Sequence, residues 1–80
     1  VTNFFQIFFV NGSKEILEKK NRNLSMISLI DDNRITTSGL EYNLSDQKLN
    51  SFSHGISNRI ISDKCLIKAK EKLILFIEIE

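Results

Sequence analysis

Residues 72–80, KLILFIEIE, decide how the fold is read. Side chains of a strand alternate between two faces, so Leu73, Leu75, Ile77 and Ile79 point one way and Ile74, Phe76, Glu78 and Glu80 the other. The first set is wholly apolar and reads as core. Residues 4–10, FFQIFFV, form a second strand pattern in which Phe5, Ile7 and Phe9 alternate with Phe4, Gln6, Phe8 and Val10. The first and last strands are expected side by side, with Phe5, Ile7, Phe9, Leu73, Leu75 and Ile77 inside. Phe8, Val10, Ile74 and Phe76 would then form an apolar face turned away from the core, of a size that a protein partner usually covers.

Outward from these strands the pattern weakens. Asn11-Gly12 is the strongest short hairpin signal and predicts a return strand over SKEILEK, with Ser13 as the cap of a short helix over 14–22 as the competing reading. NLSMISLIDD (23–32) fits either period, and Asp31-Asp32-Asn33 reads as a turn. Residues 34–43 lean to extended structure. Ser45-Asp46 reads as the cap of a short helix carrying Leu49 and Phe52, and RIIS (59–62) and CLIK (65–68) read as two strands about Asp63-Lys64. No repeat or linker divides the chain, so residues 1–80 read as one small domain. The expected class is α+β, a two-layer β-grasp-like domain, with a ferredoxin-like βαββαβ arrangement and an all-β barrel or sandwich as alternatives.

Composition narrows the function classes. Eleven Lys and Arg against ten Asp and Glu leave almost no net charge, so bulk attraction to nucleic acid or anionic membrane is not implied. Cys65 is the single cysteine, which excludes an intrachain disulfide and predicts an intracellular, reducing compartment, cytoplasm or organelle interior. VTNFFQIFFV is too short to span a bilayer. The first residue is Val, so trimming or excision is expected. Ile, Asn, Lys and Phe total 34 residues while Gly, Ala, Pro and Arg total 7, the bias of an AT-rich genome. That bias makes the sequons at Asn11, Asn23 and Asn43 read as chance.

Two local strings carry a family resemblance. Phe5-Gln6-Ile7-Phe8-Phe9 resembles the first strand of ubiquitin, and Ser62-Asp63 with Leu66, Lys68 and Leu73 to Ile77 resembles its closing segment. Val10-Asn11-Gly12, Leu24 and residues 70–77 are similar to the small sulfur-carrier proteins. The resemblance covers about half the chain and implies a β-grasp fold with a partner-binding sheet face. Those families act through a Gly-Gly tail, whereas this chain ends Glu78-Ile79-Glu80, so only the binding role would carry over.

Candidates for chemistry are sparse. His54, the single histidine, lacks a second His or Cys at ligand spacing and reads as a loop residue. Cys65 beside Lys64 could be an activated thiol, but a half-buried strand cysteine fits better. No metal ligand set, cofactor or catalytic residue is expected. Lys19, Lys20, Arg22, Lys68 and Lys70 are the candidates for nucleic-acid contact, interleaved with Glu15, Glu18, Asp63 and Glu71. The expected function is a non-enzymatic protein-interaction module or assembly subunit, with a protein partner or a second copy seated on Phe8, Val10, Ile74 and Phe76. A small RNA-binding or ribosome-associated protein is the alternative from another class, and a sulfur carrier without its tail is the third.

Overall fold

The computed structural model describes residues 4–50 and 56–78. Among them there is no helix: six strands run β1 (Phe5–Leu17), β2 (Asn23–Ser28), β3 (Asn33–Ser38), β4 (Gln47–Leu49), β5 (Ile56–Arg59) and β6 (Lys64–Glu78). The β-grasp and ferredoxin-like expectations both require a helix, so the α+β class is corrected to an all-β one.

The 15-residue β6 organises the molecule. Along one edge it pairs antiparallel with β1, from Phe5 opposite Glu78 to Leu17 opposite Lys64. Along the other edge it pairs first with β3, over Leu66–Ala69, and then with β2, over Leu73–Ile77. β5 extends the sheet beyond β2, and β4 extends it beyond β3.

The sheet must curl strongly. A straight strand from Lys64 to Ile77 would span about 43 Å at 3.3 Å per residue, yet the connection from Leu17 to Asn23 joins those two ends and reaches at most about 22 Å. The longest dimension of the whole molecule is 33 Å. The bend lies where the pairing shifts: Lys70, Glu71 and Lys72 stand opposite the single residue Asn11 between the Val10–Leu73 and Gly12–Ala69 pairs. Gly12, at φ 102°, adopts the left-handed backbone there that a side chain resists.

Asn33 fastens the same bend from the other side. Its amide Nδ2 donates to the Ser28 hydroxyl and to the Glu71 and Lys72 carbonyls, each at 3.1 Å, and its Oδ1 accepts from the Glu71 N–H at 2.8 Å. Backbone groups freed by the break between β2 and β3 are thereby satisfied inside the protein. The two wings of the sheet close over the core through the Leu40–Ile60 bridge and the Glu41 N–H to Arg59 carbonyl bond, giving a curled half-barrel.

The core holds Leu73, Leu75 and Ile77, as the alternation of the last strand implies, together with Leu24, Met26, Ile35, Ile60 and Ile67. The first strand faces the opposite way from its expectation. Residues directly opposite in an antiparallel pair share a face, so Phe8 and Val10, opposite Leu75 and Leu73, belong to the core side, while Phe5, Ile7 and Phe9 line up with Glu78, Phe76 and Ile74 on the outside. Val10 is 3% exposed and Phe9 76%.

Three local readings also change. Asn11-Gly12 forms a bulge inside β1 rather than a hairpin, so SKEILEK continues the first strand as far as Leu17 instead of returning. The helix placed after Ser45 is instead the short strand β4, preceded by Asp46 at φ 50°. CLIK and KLILFIE are parts of one strand, β6. Phe52, His54 and Ile79 lie outside the described residues.

Candidate functional site

The loop from Gly39 to Asp46, between β3 and β4, is an irregular segment held by both backbone and side-chain hydrogen bonds. Asn43 closes it from within: its Oδ1 accepts from the Leu40 N–H at 2.9 Å and from the Thr37 hydroxyl at 3.4 Å. Thr37 in turn accepts from the Leu44 N–H at 2.9 Å. Asn58, on β5 and buried, grips the tip from the neighbouring wing. Its Oδ1 accepts from the Tyr42 N–H at 3.1 Å, and its Nδ2 donates to the Tyr42 carbonyl at 2.6 Å.

Both backbone polar groups of Tyr42 are thus tied to one buried amide, while the residue as a whole is 69% exposed. An exposed aromatic on a fixed backbone loses little entropy when it stacks on a planar ligand, and its π-face attracts cations. Glu41 and Arg59 flank it, exposed, and are joined backbone to backbone at 2.8 Å. Tyr42 is not among the residues that the sequence singles out. The available signal was a lone tyrosine between the turn formers Gly39 and Asn43.

The residues singled out from sequence are dispersed. Of Phe8, Val10, Ile74 and Phe76, the first two belong to the core side and the last two to the outer side, so the four share no face. Lys19, Lys20 and Arg22 lie in the turn joining β1 to β2, where the Arg22 N–H donates to the Lys19 carbonyl at 3.1 Å. Lys68 and Lys70 lie apart from them, on β6 at the bend. Cys65 is fully buried, and burial pushes its thiol up to about 11, so little of it is thiolate at neutral pH.

The family model for thiamin pyrophosphokinase, vitamin B1 binding domain, matches residues 13–74, more than half of the chain, and the chain belongs to that family. Thiamin pyrophosphokinase from Candida albicans superposes with a TM-score of 0.81 at 16% identity, covering 99% of this chain and 31% of that one. The enzyme from Geobacillus thermodenitrificans gives 0.73 at 18% identity, covering 98% and 37%. That from Bacillus subtilis gives 0.71 at 24%, covering 95% and 36%. No curated protein matches the sequence. The chain spans about a third of the length of the solved structures it resembles.

These findings overturn the ubiquitin-like and sulfur-carrier resemblance, whose strings are short strand patterns common to many sheets. They also overturn the reading as a non-enzymatic interaction module, since the family is a domain of an enzyme.

Proposed function

We propose that this chain is the vitamin-binding part of a thiamin pyrophosphokinase and that the Tyr42 loop is where it meets the vitamin. The carrying observation is the family match across residues 13–74, which contains an exposed aromatic clamped by a buried amide. Thiamin couples a flat aminopyrimidine to a permanently cationic thiazolium. The face of Tyr42 suits both halves, and the Glu41 carboxylate beside it suits the cation. In the reaction that the family's name describes, a pyrophosphoryl group is joined to thiamin. The part read for this chain's residues is to bind the vitamin and fix its orientation, where a small misplacement lowers the rate steeply.

Two narrower points belong to the same reading. No helix among the described residues is long and apolar enough to cross a membrane, and a buried free thiol at Cys65 fits a reducing intracellular compartment. The outer apolar row of Phe5, Ile7 and Phe9 suits cover by protein, either a second copy or a further part of the enzyme.

Calorimetric titration of the purified protein with thiamin tests the assignment. Tyr42→Ala is expected to weaken thiamin binding about five- to thirtyfold, the loss of one aromatic stacking and cation–π contact, with Tyr42→Phe close to the parent. Equal affinity in Tyr42→Ala and parent would remove the loop from the site.

A further inference from the structure

Asn58 stands where an apolar side chain would be expected. It lies on β5 opposite Leu24 of β2, so the two share the core side of the sheet, and both are buried. An amide in such a place carries a desolvation cost that only hydrogen bonds offset. Its bonds run to the loop tip and to the next residue: Oδ1 accepts from the Tyr42 N–H at 3.1 Å and from the Arg59 N–H at 2.9 Å, and Nδ2 donates to the Tyr42 carbonyl at 2.6 Å.

Tyr42 does not need this partner merely to satisfy its peptide groups, because water can do so at the tip of an exposed loop. What the amide adds is orientation. Two bonds from one planar group to the N–H and the carbonyl of a single residue restrain φ and ψ of Tyr42 together, and the bond shared with Arg59 fixes the amide in turn. Arg59 is itself anchored, paired with Asn23 of β2 and accepting at its carbonyl from the Glu41 N–H at 2.8 Å. The restraint therefore runs from the sheet through Asn58 to the ring, which keeps only its own side-chain torsions.

We propose that Asn58 is a positioning residue of the vitamin site: it orders the Tyr42 backbone before the ligand arrives and sets affinity through the tyrosine ring, without touching the ligand itself. The ligand's identity here rests on the reading of the Tyr42 loop given above; the ordering of Tyr42 does not. A backbone fixed only at the moment of binding would lose entropy that the clamp has already removed.

The molecule carries its own probe. Tyr42 is the single tyrosine and there is no tryptophan, so tyrosine emission reports on this ring alone. Asn58→Ala is expected to lower the anisotropy of that emission in the absence of ligand and to weaken thiamin binding, measured by calorimetric titration, about fivefold. In a Tyr42→Ala background the same substitution should cost no further affinity, the non-additivity of two residues that act as one unit. Ile35→Val, a buried truncation on β3 opposite Ala69, should lower the melting temperature and leave both readouts unchanged, which separates positioning from general loss of stability. Asn58→Asp keeps the shape and the acceptor but, ionised, has no hydrogen for the Tyr42 carbonyl, and should move both readouts as Asn58→Ala does without leaving a cavity. If neither variant folds, amide relaxation of the parent decides: an order parameter at Tyr42 near the rigid-backbone value of about 0.85 upholds the clamp, and one below about 0.6 overturns it. Parent-like anisotropy or thiamin affinity in a folded Asn58→Ala protein would overturn the proposal, as would an undiminished loss in the Tyr42→Ala background. Should the vitamin bind elsewhere, Tyr42→Ala instead matches the parent in thiamin affinity while Asn58→Ala still lowers the anisotropy, a result that overturns the ligand of the loop and upholds its clamp.

Discussion

Gly39→Ala is expected to leave little or no folded protein at room temperature. Gly39 sits at φ 84°, in the left-handed region, and a Cβ built there would press against the Lys64 carbonyl oxygen and lie 3.0 Å from the Cys65 Cα. These are backbone atoms at the start of the central strand and cannot swing aside. Gly39 cannot retreat either, because its own carbonyl accepts the Ile61 N–H at 3.0 Å in the seam that closes the two wings. Backbone strain of about 1–3 kcal/mol and overpacking of similar size together approach the whole stability of so small a domain. Gly12→Ala supplies the contrast: φ is again positive at 102°, but the added methyl meets nothing within 4 Å. Only the strain remains, and the protein should fold with a lowered urea midpoint. A Gly39→Ala protein with the parent's urea midpoint would mean that the start of β6 does not pass under this turn.

The second large effect separates the two faces of the β1–β6 pair. Leu75→Ala is expected to lose about 2–5 kcal/mol, as the deletion of a buried side chain leaves a cavity that the neighbours only partly fill. Leu75 is fully buried and pairs with both Phe8 and Met26. Phe9→Ala, three-quarters exposed on the other face, should change stability by no more than about 0.5 kcal/mol. Urea unfolding of both variants checks the pair of values. A large loss on truncating Phe9, with Leu75→Ala near the parent, would show that the sheet is turned inside out relative to this description.

Why one of these two strands could be read from sequence and the other could not has a physical answer. In the last strand Glu78 breaks the apolar run on one face, so burial has a single solution. The first strand carries aromatic or aliphatic residues on both faces, and with period two a one-residue ambiguity exchanges inside for outside. Asn11-Gly12 is degenerate in another way, because the positive φ that glycine supplies serves a bulge as well as a hairpin turn. Ser45-Asp46 offers side-chain oxygens that cap helices and also shape turns, and β4 is too short to declare itself. The adjacency of the first and last strands was legible because both are long. The fixing of Tyr42 was not, because it comes from Asn58, 16 residues away and on another strand.

The proposed recognition of thiamin at the Tyr42 loop can be tested directly. The most direct measurement is a titration of isotopically labelled protein with thiamin, followed residue by residue through its backbone amide signals. The predicted result is a saturable set of shifts concentrated on residues 40–44 and 57–60, with the signals of Gly12, Ser13 and Lys68 at the bend of β6 unmoved. Saturable shifts that leave the Tyr42 and Asn58 amides unmoved, or no shifts at any thiamin concentration with the fold intact, would contradict it.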